Sequence, residues 1–164
     1  MSKITNLIAR QVYDSRGNPT IEAEVFANNM RARAICPSGA STGTHEAYEK
    51  RDTSNKKYLG RSVLNAVKLV NKIISKKLRN QNIHNQEKID HILLSLDGTK
   101  QKTRLGANSL LSVSMAVKKL SAKLKKIPLY KNFIIKNNFS LPYPLMNIIN
   151  GGVHANNDLQ IQEF

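Results

Sequence analysis

With 164 residues, 40% hydrophobic content and a formal net charge of +15, the chain has room for one domain, or one domain plus part of another. Aromatics make up 5% and tryptophan is absent, so aliphatic side chains must fill the core. The single cysteine, Cys36, excludes an internal disulfide, "MSKITNLIARQVYD" lacks the apolar run of a signal peptide, and no window approaches the ~20 apolar residues of a membrane span. The expectation is a soluble protein of a reducing cytoplasm.

The first forty residues read as strands. "KITNLIARQVYD" is rich in β-formers and ends at "DSRGNPT", whose Asp, Ser, Gly, Asn and Pro mark a tight bend. "TIEAEVF" alternates Ile21, Ala23 and Val25 with Glu22 and Glu24, which predicts one buried face. Asn28-Asn29 suits the positive φ of a two-residue hairpin turn, and "MRARAIC" returns as a third strand. The outcome is a three-stranded antiparallel meander.

Helices follow. In "RSVLNAVKLVNKIISKKL" the positions Val63, Ala66, Val67, Val70, Ile74 and Leu78 recur with helical spacing. Asn85 is placed to cap a helix with Glu87 in its first turn, Ile89, Ile92, Leu93 and Leu96 on its core face, and Gly98 at its end. "ANSLLSVSMAVKKLSAKLKK" predicts a long helix, aliphatic on one side and basic on the other. Pro128 opens a short helix through about Asn138. "SLPYP" then reads as a linker and "LMNIIN" as a strand apolar on both faces, as buried parallel or barrel strands are. The fold class is therefore α+β, with one domain over residues 1–138 and a second fold beginning in 139–164 and cut off.

Two segments have the composition of sites. "PSGASTGTHEAYEKRD", from Pro37 to Asp52, is either an ordinary strand-to-helix connection or a lid hinged at Gly39 and Gly43. "GGVHANNDLQIQEF" carries His154, Asp158, Gln162 and Glu163. A lone histidine is most often structural, but Glu163 interrupts an apolar alternation of Leu159, Ile161 and Phe164. A carboxylate at the end of a buried strand is costly unless paired or used. His45, His84 and His91 show no metal-ligand spacing with His154.

The charge admits two readings. Between Asp97 and Asp158 there is no Asp or Glu, whereas Lys100, Lys102, Arg104, Lys118, Lys119, Lys123, Lys125, Lys126, Lys131 and Lys136 all fall there. A basic nucleic-acid-binding or protein-docking module is one reading. Lysine-rich solvated helix faces are the other, and are preferred because no stacking aromatics interleave with the lysines.

In this order and spacing, "DSRGNPT", "PSGASTGTHEA", "LDGT", "GANSLLSVSMA", "PLY" and "MNIINGGVHANNDLQIQEF" resemble the N-terminal part of the bacterial enolases. The resemblance implies an N-terminal capping domain over 1–138 and the first strands of an α/β barrel over 139–164. It implies reversible dehydration of 2-phosphoglycerate to phosphoenolpyruvate, with Mg²⁺ as cofactor and a homodimer as the complete enzyme. Gly39, Ala40 and Ser41 match the substrate loop, with Ser41 also a ligand of the second Mg²⁺. His154 matches the histidine of a second closing loop, and Gln162 and Glu163 a substrate-contacting pair whose Glu lies near the departing hydroxyl. On this basis His154 and Glu163 are the catalytic candidates. Arg16 and Glu22 match salt-bridging residues of the dimer interface, with partners beyond residue 164. The lysine base, the glutamate acid and the carboxylates of the first Mg²⁺ belong to the rest of the barrel, so the chain alone is expected to be inactive. The family is cytoplasmic, with some members also at the cell surface or outside the cell. One departure is an Asn28-Asn29 turn a residue shorter than in many relatives.

Overall fold

The computed structural model describes residues 2–39, 43–54, 57–133 and 140–164. Three strands, β1 (Asn6–Tyr13), β2 (Pro19–Ala27) and β3 (Met30–Cys36), form an antiparallel sheet in the order β1-β2-β3. Asn28 and Asn29 join β2 to β3 with φ of 48° and 58°, both in the left-handed region that asparagine tolerates. The register sets Ala9 opposite Ala23 and Ala23 opposite Ala34, so small side chains share the covered face.

Behind the sheet run α1 (Leu64–Leu69), a π-helical turn (Val70–Ile74) and α2 (Ser75–Leu78) as one helical rod, then α3 (Gln86–Asp97) and α4 (Ala107–Leu124). The expected helical stripe is the buried one: Val63, Ala66, Val70, Ile74 and Leu78 are fully enclosed, with Val67 partly so. Asn85 caps α3 by accepting from the Lys88 N–H at 3.0 Å, and Gly98 ends it with φ 69°. α4 lies across β2 and β3 and buries Leu110, Val113, Ala116, Val117 and Leu120 against Ile21, Ala23 and Val25. The last helix, α5, spans Leu129–Phe133; its expected continuation to Asn138 falls outside the described residues.

One expectation for the sheet is corrected. β2 is buried on both faces, because Glu22 and Glu24 are each only 5% exposed. Arg10 donates to Glu22 at 2.9 Å and also bonds Glu24, while Arg31 and Arg33 approach Glu24 and Glu22 at 3.5 and 3.8 Å. Guanidinium groups on both neighbouring strands thus roof over the two carboxylates, which repays their removal from water. The Arg10 hydrogen bond holds the Glu24 carboxyl below its ordinary range.

The sheet edges are closed by side chains. Asn71, inside the π turn, accepts from the Ala9 N–H at 2.7 Å and donates to the Ala9 carbonyl at 3.0 Å, replacing a fourth strand beside β1. On the far edge Lys119 and Lys123 donate to the β3 carbonyls of Arg33 and Arg31.

Residues 140–164 behave differently. The strand expected over "LMNIIN" does not form; a single bridge pairs Asn150 with Glu163. Leu141 and Leu145 are 96% and 99% exposed. A buried parallel strand needs a neighbour on each side and a layer on each face, and the described residues supply neither here.

Candidate functional site

Two regions carry the expected site residues. The first is rooted at the end of β3. Thr20 Oγ1 donates to the Cys36 carbonyl at 2.5 Å, and Arg16 Nη2 donates to the Ser38 carbonyl at 2.9 Å, so the chain leaves the sheet along a fixed line. Arg16 is itself held by a bend in which Asp14 Oδ1 accepts from the Arg16 and Asn18 N–H groups, both at 2.8 Å. Those bonds, with Asn18 the leading cause, hold the Asp14 carboxyl below the usual range.

Beyond the loop, residues 47–52 form a strap fastened at both edges. Tyr48 N–H donates to the Gln101 carbonyl at 2.7 Å, and its own carbonyl accepts from Ala107 at 2.8 Å, satisfying an orphan donor at the start of α4. Asn108 accepts from the Lys50 N–H and donates to its carbonyl, each at 3.1 Å. The strap runs so close to Gly106 that a Cβ there would lie 2.5 Å from the Lys50 Cβ. Asp52, almost fully buried, accepts from Leu64 and Asn65 and so caps α1 from twelve residues upstream of Leu64. Arg51 ties strap, loop and sheet together: it donates to the carbonyls of Pro19 (3.1 Å) and Arg61, to Ser38 Oγ, and to Glu49 at 2.8 Å. A cleft of about 290 Å³ results, lined by Asp14, Arg16, Ser38, Gly39, Glu49 and Arg51 among others. Cys36 lies beside it with its thiol pushed up to about 11 by burial and by Glu49, which keeps it protonated and unreactive.

The second region is residues 148–164. Gly151 donates to the Gln162 carbonyl at 3.1 Å and Gly152 to the Leu159 carbonyl at 2.7 Å. Ile149 and Phe164 exchange backbone bonds at 3.0 Å in both directions. Gly151 cannot carry a side chain, since a Cβ would sit 2.4 and 2.5 Å from the carbonyls of Leu159 and Ile161. Asn157 donates to the Asn150 carbonyl at 3.0 Å and closes the loop. The short 3₁₀ turn Gly152–His154 therefore stands beside the Gln162-Glu163 segment through backbone pairing.

The structure thus brings Arg16 and Gly39 to one cleft, and His154, Gln162 and Glu163 to one loop. Ala40 and Ser41 lie outside the described residues. Gly43 sits in ordinary contact with Glu46, and its backbone is not left-handed. Glu22 already has in-chain partners in Arg10 and Arg33, and it opens on a second cleft with Tyr13, Asp14 and Arg33. Sequence reading missed Arg51, Glu49, Asp52 and Asn108 because their partners are distant in the chain and no periodicity marks them.

A divalent magnesium ion demands near-octahedral oxygen ligands. Among the described residues no group of three or more His, Cys, Asp or Glu converges into such a cage. The residues described here do not by themselves fit the ion, and no chemical step is assigned to it.

Comparison with known proteins accounts for both regions. Residues 4–133 match the family model "Enolase, N-terminal domain", and residues 138–164 match "Enolase, C-terminal TIM barrel domain". The enolase of Pelagibacter ubique is 71% identical over all 164 residues, which cover 39% of that relative. The enolases of Methanosarcina acetivorans and Pyrococcus furiosus are 53% and 51% identical over 162 residues, 99% of this chain and 38% and 37% of theirs. The chain therefore spans about two fifths of the length of these relatives. A meander backed by helices, followed by a segment that matches the opening of a barrel, is what the paired matches describe: the chain belongs to the enolase family.

Proposed function

We propose that the complete enzyme interconverts 2-phosphoglycerate and phosphoenolpyruvate by loss and addition of water, and that this chain supplies one edge of its site. The observation that carries this reading is the 71% identity to an enolase across every residue of the chain, loop and tail included.

Dehydration removes a weakly acidic proton beside a carboxylate and expels a hydroxyl from the neighbouring carbon. The first event needs a base and electrostatic stabilisation, and both are assigned to the part of the enzyme outside this chain. The second needs a proton at the departing oxygen, which the glutamate acid of the rest of the barrel supplies; Glu163 contacts the departing hydroxyl, with Gln162 as the adjoining amide contact. The His154 turn, seated on residues 159–163, closes that side against water. Gly39, Ala40 and Ser41 close the other side, on a root fixed by Arg16 and Arg51; Ser41 is also the assigned ligand of the second metal. Arg16 and Glu22 open on adjacent clefts, which suits a role for that face in a homodimer. A domain boundary near 138 is part of the same reading, supported by family matches over 4–133 and 138–164. A cytoplasmic location is part of the same reading; no helix among the described residues is long and apolar enough to cross a membrane.

The test is direct. Purified chain with Mg²⁺ and 2-phosphoglycerate should give no phosphoenolpyruvate absorbance. Adding the remaining barrel portion of the Pelagibacter enolase as a separate polypeptide should restore turnover that Glu163→Gln lowers. Turnover by the chain alone, abolished by Glu163→Gln, would refute the assignment of the base and metal cage to residues outside it. Silence of a mixture in which both pieces are folded and associated would refute the activity itself.

A further inference from the structure

The charge of +15 is unevenly committed. In the basic stretch that stands out in the sequence, four lysines are held by contacts within the domain, though not by ion pairs. Lys119 and Lys123 close the edge of β3, Lys125 donates to Asn132 at 2.9 Å, and Lys118 lies 4.9 Å from the Phe133 ring centroid. The opposite side of the domain is basic as well. Between Arg61 and Gln86 there is no Asp or Glu, and Lys68, Lys72, Lys76, Lys77 and Arg79 are exposed. Among the described residues, none of these five makes an ion pair.

This surface is also concave. Where α2 ends against the flank of α3, a cleft of about 530 Å³ is lined by Lys77, Lys88 and His91, with Gln81 and Ser95 as neutral polar groups over Ile92. Its lining contains no carboxylate. The nearest acids on α3 are Glu87 and Asp90; Asp90 is turned to α4, accepting from Ser114 Oγ at 2.7 Å and from Gln86.

We propose that this cleft, continued by the lysines of α1 and α2, binds linear polyphosphate. Ammonium groups recognise phosphate as point charges, and unpaired cations around a pocket without carboxylates leave a field that only an anion relieves. The cleft lining has no Phe, Tyr or Trp, and its one ring is that of His91. Single-stranded nucleic acids gain much of their affinity by stacking bases on aromatics, so a phosphate chain without bases is the better match.

The experiment titrates the full chain with sodium tripolyphosphate and with a longer polyphosphate by calorimetry, beside single-stranded RNA of equal phosphate number. Saturable polyphosphate binding should weaken roughly tenfold or more in Lys77→Glu/Lys88→Glu, where like charges meet the ligand directly. The charge-matched pair Lys100→Glu/Arg104→Glu should cost about threefold or less, because its charges act at a distance and through salt. Circular dichroism verifies that both pairs fold. Equal losses in the two pairs, tighter binding of the RNA, or no saturable binding would each overturn the proposal.

Discussion

Residues 4–133 and 140–164 have similar appetites for burial and opposite fates. In the first region Ile21, Val25, Ile74 and Leu120 are completely enclosed; in the second Leu141 and Leu145 stand 96% and 99% exposed. Hydrophobicity does not separate them. What separates them is the supply of partners. β2 receives a strand on each side, α4 on one face and a roof of arginines on the other. The tail receives its own hairpin-like pairing of 149–152 with 159–164. Apolar side chains gain only from surface that a neighbour actually covers.

The comparison predicts unequal responses to mutation. Leu120→Ala, deep between α4 and the sheet, should lower the stability measured in urea by about 2–5 kcal/mol, since the helix and sheet cannot collapse into the void. A loss under about 1 kcal/mol would mean the interface is looser than the burial of Leu120 states.

Acid should act on the same region. Burial pushes the Asp97 carboxyl up, but hydrogen bonds from Thr99 and from the Leu105 N–H at 2.7 Å outweigh it and leave the group low. Arg10 does the same for Glu24. Both folded values lie below the unfolded ones, so the stability they contribute is complete above about pH 5 and is lost as pH falls through the folded values. Asp97→Ala should cost about 1–3 kcal/mol at neutral pH by stranding the N–H groups of Thr99 and Leu105. It should also flatten the acid limb of a stability–pH curve. An unchanged acid limb in an Asp97→Ala/Glu24→Gln double variant would show that other groups set it.

Smaller still is the cap. Asn85→Ala removes the acceptor for Lys88 N–H and should cost about 1 kcal/mol in the same urea titration, with Asn85→Asp restoring most of it. The smallest effect belongs to the tail: Leu145→Ala should leave the unfolding midpoint within about 0.5 kcal/mol of the parent. Hydrogen exchange sharpens the point. The Val117 amide should exchange only by global opening, whereas Ile148 and Ile161 should exchange rapidly in the monomer. Slow exchange at Ile148 and Ile161 would show that the tail has its own cooperative structure.

Much of the architecture was legible in the residues. The hairpin at Asn28-Asn29, the cap at Asn85, the stop at Gly98 and the stripe from Val63 to Leu78 are local devices, and each works within a few residues of itself. The candidate site was legible only as a resemblance of motifs. Bonds from Gly151 and Gly152 to the Gln162 and Leu159 carbonyls set the turn that ends at His154 beside residues 162–163, and Gly151 must be glycine because of carbonyls eight and ten residues on. Arg51 and Asp52 gave no signal, because their partners at Pro19, Arg61 and Leu64 become neighbours only after folding.

Periodicity, turn chemistry and capping are short-range energies, so the sequence by itself determined the three strands of the meander and the helices packed on them. Which groups could be buried was decided by the tertiary structure. Glu22 and Glu24 look like the solvent face of an alternating strand until Arg10, Arg31 and Arg33 close over them, and "LMNIIN" looks like a buried strand where, among the described residues, only the 162–164 segment lies beside it. Burial is a property of a pair of surfaces. A one-dimensional pattern records only one of them.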